Sequence, residues 1–176
     1  MKEVYILLRE RLKEITELKE VDWYTGQDAQ TGEQAMLVDA AAYIEFQPIE
    51  WQSLLGGIQQ AVVSFDVHFV QDRVLDGDGP IINADILHLD IVRSIYTKLQ
   101  GFSALLSDLP GLSALAGTKQ DAVVVNDIVR ELLSNDHSLS NLMVTTQRFR
   151  CMIRDYAAAP IYQIIANLNL DLTVTI

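Results

Sequence analysis

The sequence predicts an α+β fold: a mostly antiparallel sheet of four to six strands with two main helices packed on it. Three observations carry that expectation. Gln60–Gln71 (QAVVSFDVHFVQ) sets Val63, Phe65, Val67 and Phe69 on one parity and Gln60, Ser64, Asp66 and His68 on the other. Successive side chains of a strand point to opposite faces, so this is a central strand with one apolar and one mostly polar face. Val62 and Val70 interrupt the polar parity, so the second face is expected to be partly covered. Two other stretches, Lys2–Leu18 and Asn83–Gln100, repeat apolar residues at helical spacing. Asn141–Arg154 alternates again, and Asn135-Asp136-His137 offers a turn through which Ala122–Leu133 can fold back on it.

Taken in order, Val4, Leu7, Leu8, Leu12 and Ile15 make one stripe of the first helix, with Glu10 and Glu14 placed to pair with neighbouring Lys or Arg. Val21–Tyr24 is a short strand, Thr25–Ala35 a polar loop with two glycines, and Leu37–Phe46 a second strand that Pro48 ends or confines to an edge. Gln47–Gln59 reads as a connection, because Pro48, Gly56 and Gly57 interrupt regular structure. It is nevertheless apolar, with Ile49, Trp51, Leu54, Leu55 and Ile58. Two readings fit: the loop folds onto its own core, or it is an arm that buries these residues on a neighbouring subunit. Those five residues are the candidate subunit interface.

Asp72–Pro80 is a turn. A calcium loop starting at Asp76 needs a glutamate at its twelfth position, where Leu87 stands. Asn83 is the expected N-cap of the second helix, Leu87, Ile91, Ile95 and Leu99 its stripe, widened by Ile86, Val92 and Tyr96, and Gly101 its stop. Residues 103–119 are an insertion or long connection broken at Pro110-Gly111. Ala122–Leu133 is ambiguous between strand and helix: its valines favour strand, and Asp127–Leu133 also suits a helix. Pro160 bends the chain, and Leu168–Ile176 alternates as a closing strand. One domain spanning residues 1–176 is expected.

Composition narrows the function. Thirteen Lys and Arg against 24 Asp and Glu give a formal charge of -11. Such a chain is repelled by phosphate and by anionic lipid, and Arg148, Arg150 and Arg154 are too small a basic patch to reverse that, so no specific nucleic-acid binding and no membrane partner are expected. No run of about 18 apolar residues is present. Cys151 sits in an alternating run and reads as a small buried hydrophobe. His68, His88 and His137 have no second ligand at metal-binding spacing, and neither a nucleophile elbow nor a phosphate loop occurs. No catalytic, cofactor-binding or metal residue is named, no cofactor is expected, and the chain is not expected to be an enzyme.

The strings YILLRERLKEI, AAYIEFQPIEW, QAVVSFDVHFV and SNDHSLSNLMVTTQRFRCMIRD, followed by the closing strand, resemble in order and pattern the tail terminator and tail completion proteins of long-tailed bacteriophages and prophage-like elements. The resemblance implies a structural virion protein that forms a ring, a hexamer in that family, at the head-proximal end of the tail tube. The implied partners are copies of itself, the tail tube protein and the head connector protein. Assembly would take place in the host cytoplasm, and the product would sit in the virion tail. The competing expectation is a small-molecule-binding domain or enzyme with a pocket between helix and sheet.

Overall fold

The computed structural model describes residues 1–27, 40–72, 82–103, 123–124, 126–136 and 142–155. Residues 28–39, 73–81, 104–122, 125, 137–141 and 156–176 lie outside them, and with them most of the loop expected at Thr25–Ala35, of the turn at Asp72–Pro80 and of the connection at 103–119, and the whole expected closing strand Leu168–Ile176. The fold class is as expected. Helices α1 (Lys2–Leu12) and α2 (Ile82–Leu99) lie on a sheet of β1 (Glu20–Trp23), β2 (Ala40–Phe46), β3 (Trp51–Ser53), β4 (Gln59–Asp72), β5 (Val123–Val124), β6 (Val129–Asp136) and β7 (Leu142–Asp155). Five of these strands have four residues or more, and every pairing is antiparallel except β1 with β2.

The spine is β4 paired with β7 over its whole length, from Gln59 opposite Asp155 to Asp72 opposite Leu142. On the far edge of β4 lie β2 and β3; on the far edge of β7 lie β5 and β6. Registers place Ala61, Val63, Phe65, Val67 and Phe69 of β4 beside Ile153, Cys151, Phe149, Gln147 and Thr145 of β7 on one face. Both helices cover that face. Val4, Leu7, Leu8 and Leu12 of α1 and Ile91, Val92, Ile95 and Leu99 of α2 join the odd-numbered residues of β4 in one core. Apolar burial of this kind is the main favourable term in folding. Arg11 bridges the helices, donating to the Lys98 carbonyl at 3.2 Å, while Glu14 joins Arg11 and Lys98, both at 2.8 Å. Those cations hold the Glu14 carboxyl below its ordinary pKa, Lys98 most of all. The second face is partly covered, as Val62 and Val70 suggested: Val70 is buried with Ala41, Tyr43 and Val144, whereas Val62 is exposed.

Four expectations are corrected. The first helix stops at Leu12 rather than Leu18. Ile15 and Leu18 still turn inward, but through tight turns in which Ile15 N–H donates to Leu12 and Leu18 N–H to Ile15. Tight i to i+3 turns of this kind are common where an α-helix ends, and β1 follows at Glu20. The stripe of α2 does not include Leu87, which is exposed together with Ile86; His88 is buried in its place. The sheet beneath that turn is polar, with Gln71 and Thr145, and His88 bonds to them at 3.2 and 2.7 Å. Asn83 stands one residue inside the helix, which begins at Ile82. Within the ambiguous stretch 122–133, Val123–Val124 (β5) and the residues from Val129 (β6) are strand, both paired with β7, and β6 continues through Asn135 and Asp136, which were expected in the hairpin turn but pair with Thr145 and Val144.

Cys151 is the buried residue that its position implied. Burial alone pushes its thiol up to about 12. The thiolate is the reactive species. The native protein is therefore expected to leave a colorimetric disulfide reagent unreacted at pH 8 and to release one equivalent of chromophore only after denaturation. Rapid labelling of the folded protein would contradict this burial.

Candidate functional site

The apolar stretch 47–59 is not the irregular loop that its proline and glycines suggested. Phe46 pairs with Phe65 and Trp51 with Ala61, so β3 resumes the course of β2 along β4 with one extra residue between them. Pro48, which has no N–H to give a ladder, falls in that bulge. The chain then turns: Leu54 N–H donates to the Ile58 carbonyl at 2.7 Å, around a 3-10 turn at Leu55–Gly57. Gly56 and Gly57 both have positive φ, 79° and 77°. A side chain is strained there, which accounts for two glycines in succession. Strands β2, β3 and β4 thus form one bulged hairpin.

This geometry divides the five candidate interface residues. Ile58 is buried, 5% exposed, and Ile49 and Trp51 are partly buried against the core under the helices. Leu54 and Leu55 at the hairpin tip point outward, 41% and 95% exposed. The division follows from the pleat. Trp51 sits opposite Ala61, whose parity is the helix-covered one, whereas the tip lies beyond the last paired residues, Ser53 and Gln59. Leu55 is an aliphatic side chain almost wholly in water.

A second group, on the face away from the helices, escaped the sequence. Glu45 of β2 lies opposite Asp66 of β4, and Asp66 opposite Arg148 of β7. Arg148 Nε donates to Asp66 Oδ1 and its NH2 to Oδ2, each at 2.7 Å, and Gln47 donates to Oδ2 at 2.9 Å. Such a fork is the strong form of the carboxylate–guanidinium pair, and it raises the Arg148 pKa further. One residue pair along, His68 Nε2 donates to Glu45 Oε2 at 2.9 Å, and Thr146 Oγ1 lies 3.1 Å from His68 Nδ1. With Nε2 carrying the proton, the Thr146 hydroxyl donates to Nδ1. The Tyr24 ring stacks on the imidazole at 4.0 Å. Nearby Tyr43 is pushed up to about 12 by burial and by the Glu20 carboxylate.

Glu45, Asp66 and His68 bring three ligand-type atoms within 4.8 Å of one another, in spite of spacings that suggest no metal site. Their donor atoms are committed, however: both Asp66 oxygens hold Arg148, and a cation there would meet the guanidinium charge. The arrangement suits an ion-pair network tying β2, β4 and β7 together better than it suits a metal. Its signal in the sequence was the polar parity of 64, 66 and 68. The register that supplies the partners could not be read locally. His88 donates through Nε2 to Thr145, whose hydroxyl donates to Asn135. Arg150 pairs with Glu131 at 3.1 Å.

By sequence, no protein-family model matches the chain and no curated protein matches it. Among solved structures, a chain of the virion of a native gene transfer agent (GTA) particle is similar. It is 12% identical over 84% of this chain and 91% of that one, with a TM-score of 0.48.

Proposed function

We propose that this protein is a structural subunit of a phage-like virion, acting as a tail terminator or tail completion protein that closes into a ring on the tail tube and joins it to the head. The reading is supported by the resemblance carried by YILLRERLKEI, AAYIEFQPIEW, QAVVSFDVHFV and the β6–β7 hairpin sequence. The observation that carries it is the hairpin tip, where Leu54 and Leu55 stand outward on a rigid base of Trp51 and Ile58. An aliphatic tip on a well-anchored hairpin loses little entropy on docking, and burying one leucine contributes about 1.5–3 kcal/mol. A ring uses two different patches on each subunit, and the tip is one of them. Ile49, Trp51 and Ile58 serve that interface by holding the hairpin in place. The ring contains six copies in this reading, and its other partners are the tail tube and head connector proteins.

Leu55→Glu tests the reading. The expected result is loss of self-association, followed by light scattering at high concentration and with tail tube protein added, while the melting temperature stays within about 1–2 °C of wild type, because the side chain touches no core. A wild-type protein that stays monomeric under both conditions would end the proposal.

One observation favours a second reading, a small-molecule-binding domain or enzyme. The Glu45–His68–Thr146 chain is a carboxylate–imidazole–hydroxyl relay of the kind that activates a nucleophile. It lies on the sheet face away from the helices, not in the helix–sheet pocket of the earlier expectation. Covalent labelling of Thr146 by an activated acyl ester, abolished in His68→Gln, would turn the argument to this side.

A further inference from the structure

We infer that the solvent-facing side of α2 pairs, antiparallel and about a two-fold axis, with the same side of α2 in a second copy of the chain. The inference goes beyond the proposed ring and makes no use of the hairpin. Ile86, Leu87 and Leu89 are 53%, 46% and 61% exposed, although the same helix buries Ile91, Val92, Ile95 and Leu99. A helix has 3.6 residues per turn, so Ile86, Asp90, Arg93 and Thr97 form one stripe opposite that buried side. All four are exposed. Their spacing of four, three and four residues is the one by which two helices mesh side by side. Leu89 borders the stripe on one flank and Leu87 on the other.

Charge selects a copy of this chain as the occupant. From Ile86 to Leu99 the charged side chains are Asp90, Arg93 and Lys98, and His88 is buried. Lys98 is turned to Glu14 of α1, 2.8 Å away. The stripe therefore holds one acid and one base, three residues apart. In an antiparallel pair centred between them, Asp90 of each copy meets Arg93 of the other, and Ile86 meets Thr97. The surface is its own complement, which is what a two-fold contact requires. Leu89 then lies along the aliphatic stem of the opposing Arg93. A parallel pair in register would instead set Asp90 against Asp90 and Arg93 against Arg93. About three turns of helix meet in this contact, which buries less than the roughly 1,200–2,000 Å² of a standard interface. The pair is thus expected to be short-lived in free subunits and to add little to light scattering, so covalent trapping is its readout. It also lies far from the hairpin. His88 bonds Gln71 at one end of β4, and the hairpin tip adjoins Gln59 at the other, about 40 Å away.

The test is disulfide trapping between differently marked subunits. Protein carrying Asp90→Cys is mixed with protein carrying Arg93→Cys under mild oxidation. Both positions are exposed, and the native Cys151 is buried. The expected result is a covalent dimer at several-fold higher yield in the mixture than in either variant alone, because the two-fold brings position 90 to position 93 and not to itself. Leu89→Glu in both partners should lower the yield several-fold, and Leu55→Glu in both should leave it unchanged. Equal yields in the mixture and the single variants, no dimer, or a yield indifferent to Leu89→Glu would overturn the inference. A yield that falls with Leu55→Glu would assign the dimer to the hairpin and overturn it as well. None of these outcomes decides the ring, which stands or falls on the light scattering of wild type and Leu55→Glu.

Discussion

Phe149→Ala is expected to destabilise the protein by about 3–5 kcal/mol, a large part of the roughly 5–15 kcal/mol that holds a domain of this kind together. Phe149 has no exposed surface and stacks on Phe65 at 5.6 Å between ring centroids, at the middle of the β4–β7 spine. Cys151 and Ile153 flank it on the same face, and both helices cover it. Truncation therefore leaves a cavity bounded by two helices and a sheet that cannot all move inward. Chemical denaturation should register the change as a lower midpoint at unchanged slope. Phe149→Leu keeps most of the volume and is expected to cost less than half as much. Equal losses for the two variants would mean that the aromatic pair, and not the filled volume, carries the stability.

Arg148→Ala is expected to cost about 2–4 kcal/mol, somewhat below the loss seen when a fully buried pair is broken, because the guanidinium is partly solvated. The reason lies with the partner. Asp66 is buried, only 4% exposed, and would be left with Gln47 as its remaining side-chain donor among those described. Replacing both residues, as Asp66→Val with Arg148→Val, removes the stranded carboxylate and suits a strand, so most of the loss should return. That recovery, measured as a double-mutant cycle, separates a costly unpaired charge from an intrinsically stabilising pair. A loss below about 0.5 kcal/mol for Arg148→Ala would show that the fork behaves as an ordinary surface pair.

The two variants probe parts of the molecule that differed in how far they could be foreseen. The apolar parity that makes Phe65 and Phe149 core residues is written in the strands themselves, because side chains alternate wherever the chain is extended. Strand β4 accordingly runs within one residue of its expected limits at both ends. Amphipathic spacing likewise located both helices, and isolation in an alternating run located Cys151. The Asp66–Arg148 fork and the Glu45–His68–Thr146 chain were not legible, because each joins strands far apart in the sequence. Which residue faces which depends on register, and one step of register exchanges the two faces of a strand. The same dependence reshaped the segment 47–59. Its proline and glycines are local signals of irregularity, but pairing with Gln59–Ala61 made it a hairpin.

Residue pattern alone was sufficient for the fold class, the core face of the central strand and the acidic character that argues against phosphate and anionic lipid, since each depends on neighbours in the chain or on simple totals. Tertiary structure divided the apolar stretch residue by residue, holding Ile49, Trp51 and Ile58 against the body and leaving Leu54 and Leu55 in water. It also put His88 rather than Leu87 under α2. Both choices rest on what lies opposite once distant strands have paired, and that is a property of the assembled sheet.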